Sequence, residues 1–323
     1  MRLRKQTTQK SKSKMSSESS VLIVGAGELG TSILQALANH PSKPPHASFS
    51  VLLRMDSITS PNPEKQRSNA NLQALGAKLV PGNFVEDQVS DLSSVFKDYE
   101  IVIQAGGYGL PRGTQLKSAN AALQAGVPRY FPWQFGVDYE EIGEGSAQDL
   151  FDEMLQVRRL LRSQTRTKWT IISTGLFMSY LFLADFGVVD LEKRTVRALG
   201  SWDNQVTVST PHDIGRLTAE MVFLSDGTLN QVVYIGGDTV SYGQLADVLD
   251  KVFGESFTRE EWDLGFLKNR LAENPSNLWY KYQCIFGDGK GISWDMGKTL
   301  NGQRAISMTS VGDYITKNFA AGK

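Results

Sequence analysis

A chain of 323 residues, 41% hydrophobic and 21% charged, is long enough to bury one large core or two joined ones. Its 34 Lys and Arg balance 34 Asp and Glu, so no global charge points to nucleic acid or an acidic surface as partner. The single cysteine, Cys284, excludes an internal disulfide and any paired-cysteine metal site, which fits a reducing, cytoplasmic compartment. Flanked by Tyr282, Ile285 and Phe286, it reads as a packed thiol.

Residues 1–19 carry Arg2, Arg4, Lys5, Lys10, Lys12 and Lys14 among Ser, Thr and Gln, the composition of a disordered basic tail. They lack the apolar alternation of an organelle presequence, and Met15 is an alternative start. Val21–Val24 then reads as a buried strand, Gly25-x-Gly27-x-x-Gly30 follows without a gap, and Thr31–Ala38 has helical apolar spacing. Strand, glycine turn and helix are the context a dinucleotide fingerprint requires. Gly25 permits the tight turn, Gly27 admits a pyrophosphate, and Gly30 lets the helix lie close to the strand. Glu28 and Leu29 complete the turn, and the helix N-terminus offers free N–H donors to phosphate.

A Pro-rich loop, Pro41 to Pro45, precedes a second strand, Phe49–Arg54, with His40 and His46 read as solvent residues. Arg54 stands where an acidic residue would hold a ribose 2′-hydroxyl. Its guanidinium suits a 2′-phosphate, so NADPH is favoured over NADH, with Asp56 as the competing signal. A helix over Glu64–Leu75, a strand Lys78–Val80 ending at Asn83, and a helix Val89–Phe96 follow. Next come a strand Ile101–Gln104 running into Ala105-Gly106-Gly107, a helix Thr114–Ala125 and a strand Arg129–Phe131 ending in Pro132–Gly136. Five strands alternating with helices make an α/β fold, a doubly wound parallel sheet of the Rossmann type.

Beyond it, a helix over Gln148–Arg162, a strand Trp169–Ser173, a helix Asp213–Leu224 and a strand from Val232 continue the pattern more loosely. The expected organisation is a dinucleotide-binding domain over 20–174 with 210–237 returning to it. Segments 175–209 and 238–323 form a discontinuous substrate lobe. The longest apolar run, Ile171 to Val189, is interrupted by Ser173, Thr174, Gly175, Ser179, Tyr180 and Asp185 and does not read as a membrane span.

In an open α/β sheet, ligands bind beyond the carboxyl ends of the strands. Asn83, Gln104, Ala105 and Gly106 should border the adenosine and ribose, with a plain turn as the other reading of Gly106 and Gly107. Phe131, Pro132 and Phe135 should reach the nicotinamide end. No tyrosine is followed four residues later by lysine, so a phenol–ammonium pair on one helical face is excluded. Three histidines without spaced partners leave no metal site, and His212 reads as a capping or surface residue.

Phe131-Pro132-Trp133-Gln134-Phe135-Gly136-Val137-Asp138-Tyr139 and Gly200-Ser201-Trp202-Asp203-Asn204-Gln205-Val206, together with Val157-Arg158-Arg159 and Asp213-Ile214-Gly215, carry a resemblance over about residues 20–320. The chain resembles the NmrA-like, isoflavone-reductase-like branch of the atypical short-chain dehydrogenases, fungal aromatic alcohol reductase-type homologues in particular. The resemblance implies an NADPH-binding Rossmann domain, a small C-terminal lobe and reduction of aromatic or phenolic substrates. The turn here is one residue shorter than the Gly-x-x-Gly-x-x-Gly of the plant reductases. Met154 stands where the plant enzymes place a catalytic lysine, beside the cofactor, and a methionine cannot donate a proton.

Asp152 and Gln156 on that helix, Gln134 after the fifth strand and Tyr180 after the sixth are then the candidate acids. Phe177 and Tyr180 open a run of lobe aromatics, with Phe182, Phe186, Trp262, Phe266, Trp279, Tyr280 and Tyr282, that could face a flat phenolic substrate. The expected function is NADPH-dependent reduction of a small aromatic or phenolic ketone, enone or quinone, by analogy within fungal secondary metabolism. The alternative is a regulator that senses NADP(H) without turnover and acts through a protein partner.

Overall fold

The computed structural model describes residues 19–107, 109–225 and 227–320; apart from Ser19, the basic segment lies outside them. The chain begins with β1 (Ser20–Val24), α1 (Glu28–Asn39), β2 (Ser48–Leu53), α2 (Met55–Ile58) and α3 (Pro63–Ala74). Then come β3 (Ala77–Pro81), α4 (Val89–Phe96), β4 (Ile101–Gln104), α5 (Thr114–Ala125) and β5 (Arg129–Phe131). The second half carries α6 (Tyr139–Ile142), α7 (Asp149–Arg162), β6 (Lys168–Ser173), β7 (Leu176–Phe177), β8 (Val189–Asp190), β9 (Thr195–Leu199) and β10 (Gln205–Ser209). It continues with α8 (Pro211–Phe223), β11 (Gln231–Tyr234), β12 (Asp238–Ser241), α9 (Tyr242–Phe253), β13 (Thr258–Trp262), α10 (Leu264–Glu273) and α11 (Leu278–Asp288).

Seven strands form one parallel sheet in the order β11-β6-β5-β4-β1-β2-β3. Val21 to Val24 are fully buried, as expected of a strand covered on both faces. The order reverses between β1 and β4, so the crevice of the sheet opens beyond Val24 and Gln104. Leu29, Ile33, Leu34 and Leu37 put the apolar stripe of α1 inward. The other face of α1 meets α8 so closely that a Cβ on Gly215 would lie 2.5 Å from the Ser32 carbonyl oxygen. The end of α8 is tied to the sheet by Arg129, which donates to the Val222 and Met221 carbonyls at 2.8 and 3.0 Å. Burial pulls that guanidinium down to about 10.

Two expectations change here. The second strand stops at Leu53, and Arg54 becomes the N-cap of α2. His40 is not a solvent residue: it packs 5.0 Å from the Phe223 ring and lies 3.6 Å from the Glu220 carboxylate. His46 and His212 are exposed, and Thr210, rather than His212, caps α8.

The lobe holds two further three-stranded sheets, β12-β10-β7 and β13-β9-β8, built wholly from segments 175–209 and 238–262. The Gly200–Val206 motif makes the turn between β9 and β10 and the first two residues of β10. Asn204 donates to the Leu199 and Gly287 carbonyls at 3.0 and 2.9 Å, locking that turn onto α11. Among the described residues no helix is long and apolar enough to cross a membrane.

Candidate active site

The glycine turn stands at the crevice. Gly25, at φ +96°, donates its N–H to the Leu52 carbonyl at 3.2 Å. A Cβ on Gly30 would meet the Gly25 carbonyl oxygen at 2.1 Å, so helix and turn touch backbone to backbone. Gly27 is exposed, is the N-cap of α1, and has no atom within 4 Å of where its Cβ would be. No side chain caps the first turn of α1, so its N–H donors face the crevice, the arrangement a pyrophosphate needs. Glu28 is exposed in that turn, whereas Leu29 is buried and offers only its backbone.

The loop after β4 closes the other side, and a Cβ on Gly25 would lie 3.3 Å from Gly106 Cα. Gln104, expected to border the ribose, is instead fully buried beneath this loop. Its amide donates to the Gly106 carbonyl at 3.2 Å, joined there by Gln115 at 3.0 Å. Ala105 is 5% exposed and packs against the turn. The far edge of the crevice is a cleft of about 290 Å³ lined by Arg54, Met55, Asp56, Gly82, Asn83, Glu86 and Asp87. Arg54 is exposed there. Asn83 organises the adjoining loop: its N–H donates to Asp87 at 2.7 Å and its amide to Glu86 at 2.8 Å. Lys117 fastens the same loop through the Val85 and Asp87 carbonyls, at 2.6 and 2.8 Å.

A second cavity, of about 80 Å³, lies between the segment after β5 and the β6–β7 turn. Trp133 links it to the crevice, since a Cβ on Gly107 would fall 2.0 Å from the indole. The Gly136 carbonyl accepts from the Thr174 and Gly175 N–H groups at 2.9 and 3.0 Å, stitching the two walls together. Gly175 sits at φ +72°, with Thr207 O only 2.0 Å from where its Cβ would be, so that close approach requires glycine. Trp133, Phe135, Phe151, Phe177, Tyr180 and Tyr282 supply aromatic wall, and no lining residue carries a charge.

Beneath the wall runs a polar network. Arg158 is fully buried and donates to Gln134 Oε1 at 2.9 Å, to Asp138 at 3.3 Å and to Glu140 at 3.0 Å. Tyr234 donates to the other Asp138 oxygen at 2.5 Å. The hydrogen bond from Arg162, outweighing burial and aided by Arg158, holds the Glu140 carboxyl down at about 2. Burial, then the bond to Asp138, pushes the Tyr234 phenol well above its ordinary range.

This network corrects several site assignments. Gln134 is fully buried, with its carbonyl on Arg158 and its amide on the Met154 carbonyl at 3.0 Å, so it faces no substrate. Asp152 accepts the Gly145 N–H at 3.0 Å and lines no part of the cavity. Met154 is 1% exposed in the lobe core, and Phe131 and Pro132, expected at the nicotinamide end, are buried at the end of β5. Of the candidate acids, Tyr180 alone lines the cavity, 5.9 Å from the Phe177 ring and 6.1 Å from Trp279.

Trp133, Val137, Tyr139, Phe151 and Phe286 were missed as wall residues. A signal existed, for Trp133, Phe135 and Val137 are apolar at every second position after β5 and all face the cavity. Glu153, also missed, is 2% exposed and accepts the N–H groups of Gly113, Gln115 and Leu116 at 2.8, 2.8 and 3.0 Å. It seals the N-terminus of α5 with a negative charge.

Residues 17–314 match the NmrA-like family. An NmrA-like family domain-containing oxidoreductase of Gibberella moniliformis is 52% identical over 296 residues, covering 91% of this chain and 96% of that protein. An isoflavone reductase homolog of Solanum tuberosum is 27% identical over 252 residues, covering 76% and 78%. In architecture the chain is similar to a crystal structure of isoflavone reductase, with a TM-score of 0.76, 23% identity, and 93% and 99% of the two chains covered. It is also similar to the leucoanthocyanidin reductase–NADPH complex from Vitis vinifera, with a TM-score of 0.75, 21% identity and 92% and 98% covered. Sheet order, glycine turn and both long motifs lie inside the matched span, and the chain belongs to the NmrA-like family.

Proposed function

We propose that the protein is an NADPH-dependent reductase of a small, uncharged aromatic ketone, enone or quinone. The observation that carries this reading is an aromatic cavity without a charged lining residue, joined by the Trp133–Gly107 contact to the glycine-lined crevice. The name of the Gibberella relative and the NADPH in the Vitis complex support it.

The residues present fit the cofactor. The open face of Gly27 and the uncapped N-terminus of α1 would take the pyrophosphate, and Arg54 the 2′-phosphate. When bound, NADPH supplies a hydride to the substrate carbon. The wall from Trp133 to Phe135 and the Phe177–Tyr180 segment hold a flat ring and keep water from it. The buried Arg158 network fixes the backbone that presents Trp133 and Phe135. Buried Met154 favours a second reading, an NADP(H) sensor without turnover, because its position offers no acid.

The test is NADPH consumption by the purified protein against aromatic aldehydes, phenolic ketones, enones and quinones. Turnover of any of them supports the reductase. Confirmed NADPH binding with no turnover refutes it in favour of the sensor.

A further inference from the structure

We propose that Tyr139 donates the hydrogen bond, and then the proton, to the carbonyl oxygen of the substrate held in the aromatic cavity. This rests on the reductase reading above. The cavity lining contains no carboxylate, ammonium or imidazole, so the hydroxyl donors on its wall are the phenols of Tyr139, Tyr180 and Tyr282. Tyr139 lines the cavity, is 5% exposed, and its hydroxyl makes no hydrogen bond to any described residue. That oxygen is not among the side-chain atoms buried without a partner, so it keeps open contact with the cavity space.

Its ring is held from several sides. Phe151 meets it edge to face at 4.8 Å, and the Arg158 guanidinium lies 5.3 Å from the ring centroid. Asp138, the residue before it, caps α6 through the Glu140 and Glu141 N–H groups at 3.1 and 3.4 Å. Gly136 leaves the hydroxyl its space, since a Cβ there would fall 2.4 Å from the phenol oxygen. The oxygen is therefore placed, unshared, beside a second residue of the cavity wall.

The chemistry balances. As a hydride and its electron pair reach the carbonyl carbon, the C=O π pair moves to oxygen, and that oxygen takes the Tyr139 proton. Solvent restores the phenol after product leaves. Burial pushes the phenol up to about 12, although Arg158 pulls the other way, so Tyr139 is a protonated donor throughout the working range. The same guanidinium, under the ring, favours the phenolate that forms as the proton departs.

The probe is cinnamaldehyde, whose absorption moves to longer wavelength when its carbonyl accepts a hydrogen bond. Its spectrum is recorded with NADP+ on the wild type and on Tyr139→Phe, which keeps the ring contacts, and NADPH oxidation is measured in parallel. The expected result is a red shift in the wild type that Tyr139→Phe loses. Turnover should fall on the order of 100- to 10,000-fold, with NADPH affinity unchanged. Gly136→Ala, which crowds the hydroxyl, should lose the shift as well. A shift and turnover that persist in Tyr139→Phe overturn the proposal, and so does a wild type that binds the aldehyde without a shift or not at all. A Tyr139-dependent shift with no turnover in the wild type upholds the hydrogen bond and overturns the reductase reading instead.

Discussion

Gly27→Ala separates the cofactor site from the fold. Gly27 has φ −70° and ψ −169°, a conformation open to any residue, and no atom stands within 4 Å of the added methyl. The folded protein loses only the preference for glycine over alanine at an N-cap, about 1 kcal/mol or less. That shifts the melting temperature by less than about 4 °C for a chain of this size. The methyl would, however, stand where a pyrophosphate approaches the N–H groups of α1. Losing one charge-assisted hydrogen bond there costs about 1.5–3 kcal/mol, a rise in the NADPH dissociation constant of about 10- to 150-fold. Gly30→Ala is the control, because its methyl would lie 2.1 Å from the Gly25 carbonyl oxygen and the turn cannot close around it. It should lower both the melting temperature and NADPH affinity. Thermal unfolding of the apo proteins and fluorescence titration with NADPH give both readouts. An unchanged dissociation constant for Gly27→Ala, or a melting temperature as low as that of Gly30→Ala, refutes the reasoning.

Arg54→Ala should weaken NADPH by about 1–3 kcal/mol while leaving NADH nearly unaffected; equal losses would remove the 2′-phosphate from Arg54. Glu153→Gln keeps one acceptor for Gln115 and Leu116 but turns an amide donor toward the Gly113 N–H. Denaturant titration should show a loss of about 2–4 kcal/mol, and an unchanged midpoint would show that α5 does not need the carboxylate. Glu140→Gln should lower stability at pH 7 by under about 1 kcal/mol, because the carboxylate is partly exposed, its pairing with Arg162 is screened, and the buried Arg158 keeps Asp138 as its counter-charge and a glutamine oxygen as acceptor. With the folded group at about 2 and its ordinary value at 4.5, the wild-type advantage is complete above 4.5 and disappears as pH falls toward 2. A gap between variant and wild type that persists at pH 2 would rule out the pairing as its source.

The glycine turn was legible because everything it needs is adjacent in sequence: a four-residue apolar strand, three glycines and an amphipathic helix. Gln134, Gln104 and His40 were misplaced because their surroundings come from elsewhere. Gln134 is claimed by Arg158 on α7, Gln104 is shared with Gln115 over Gly106, and His40 meets Glu220 on α8. A polar residue at the end of a strand reads as a ligand contact until such partners are known, and long-range pairing has no local signature. The lobe strands β7 and β8 are two residues long, too short for any alternation to register. Tyr139 was in view as part of the long motif, yet its role depends on Gly136, Phe151 and Arg158 converging on one ring.

The aromatic cavity is assembled from separate pieces of chain: the segment after β5, one turn of α7, the stretch from Gly175 to Tyr180, and α11. None of these pieces includes the glycine turn. Apart from Trp133, which packs on Gly107, selection can therefore exchange one wall at a time, enlarging or narrowing the space for a substrate, while the glycine turn stays untouched. A scaffold so divided lets new specificities arise by small replacements, without a fresh start for the redox chemistry.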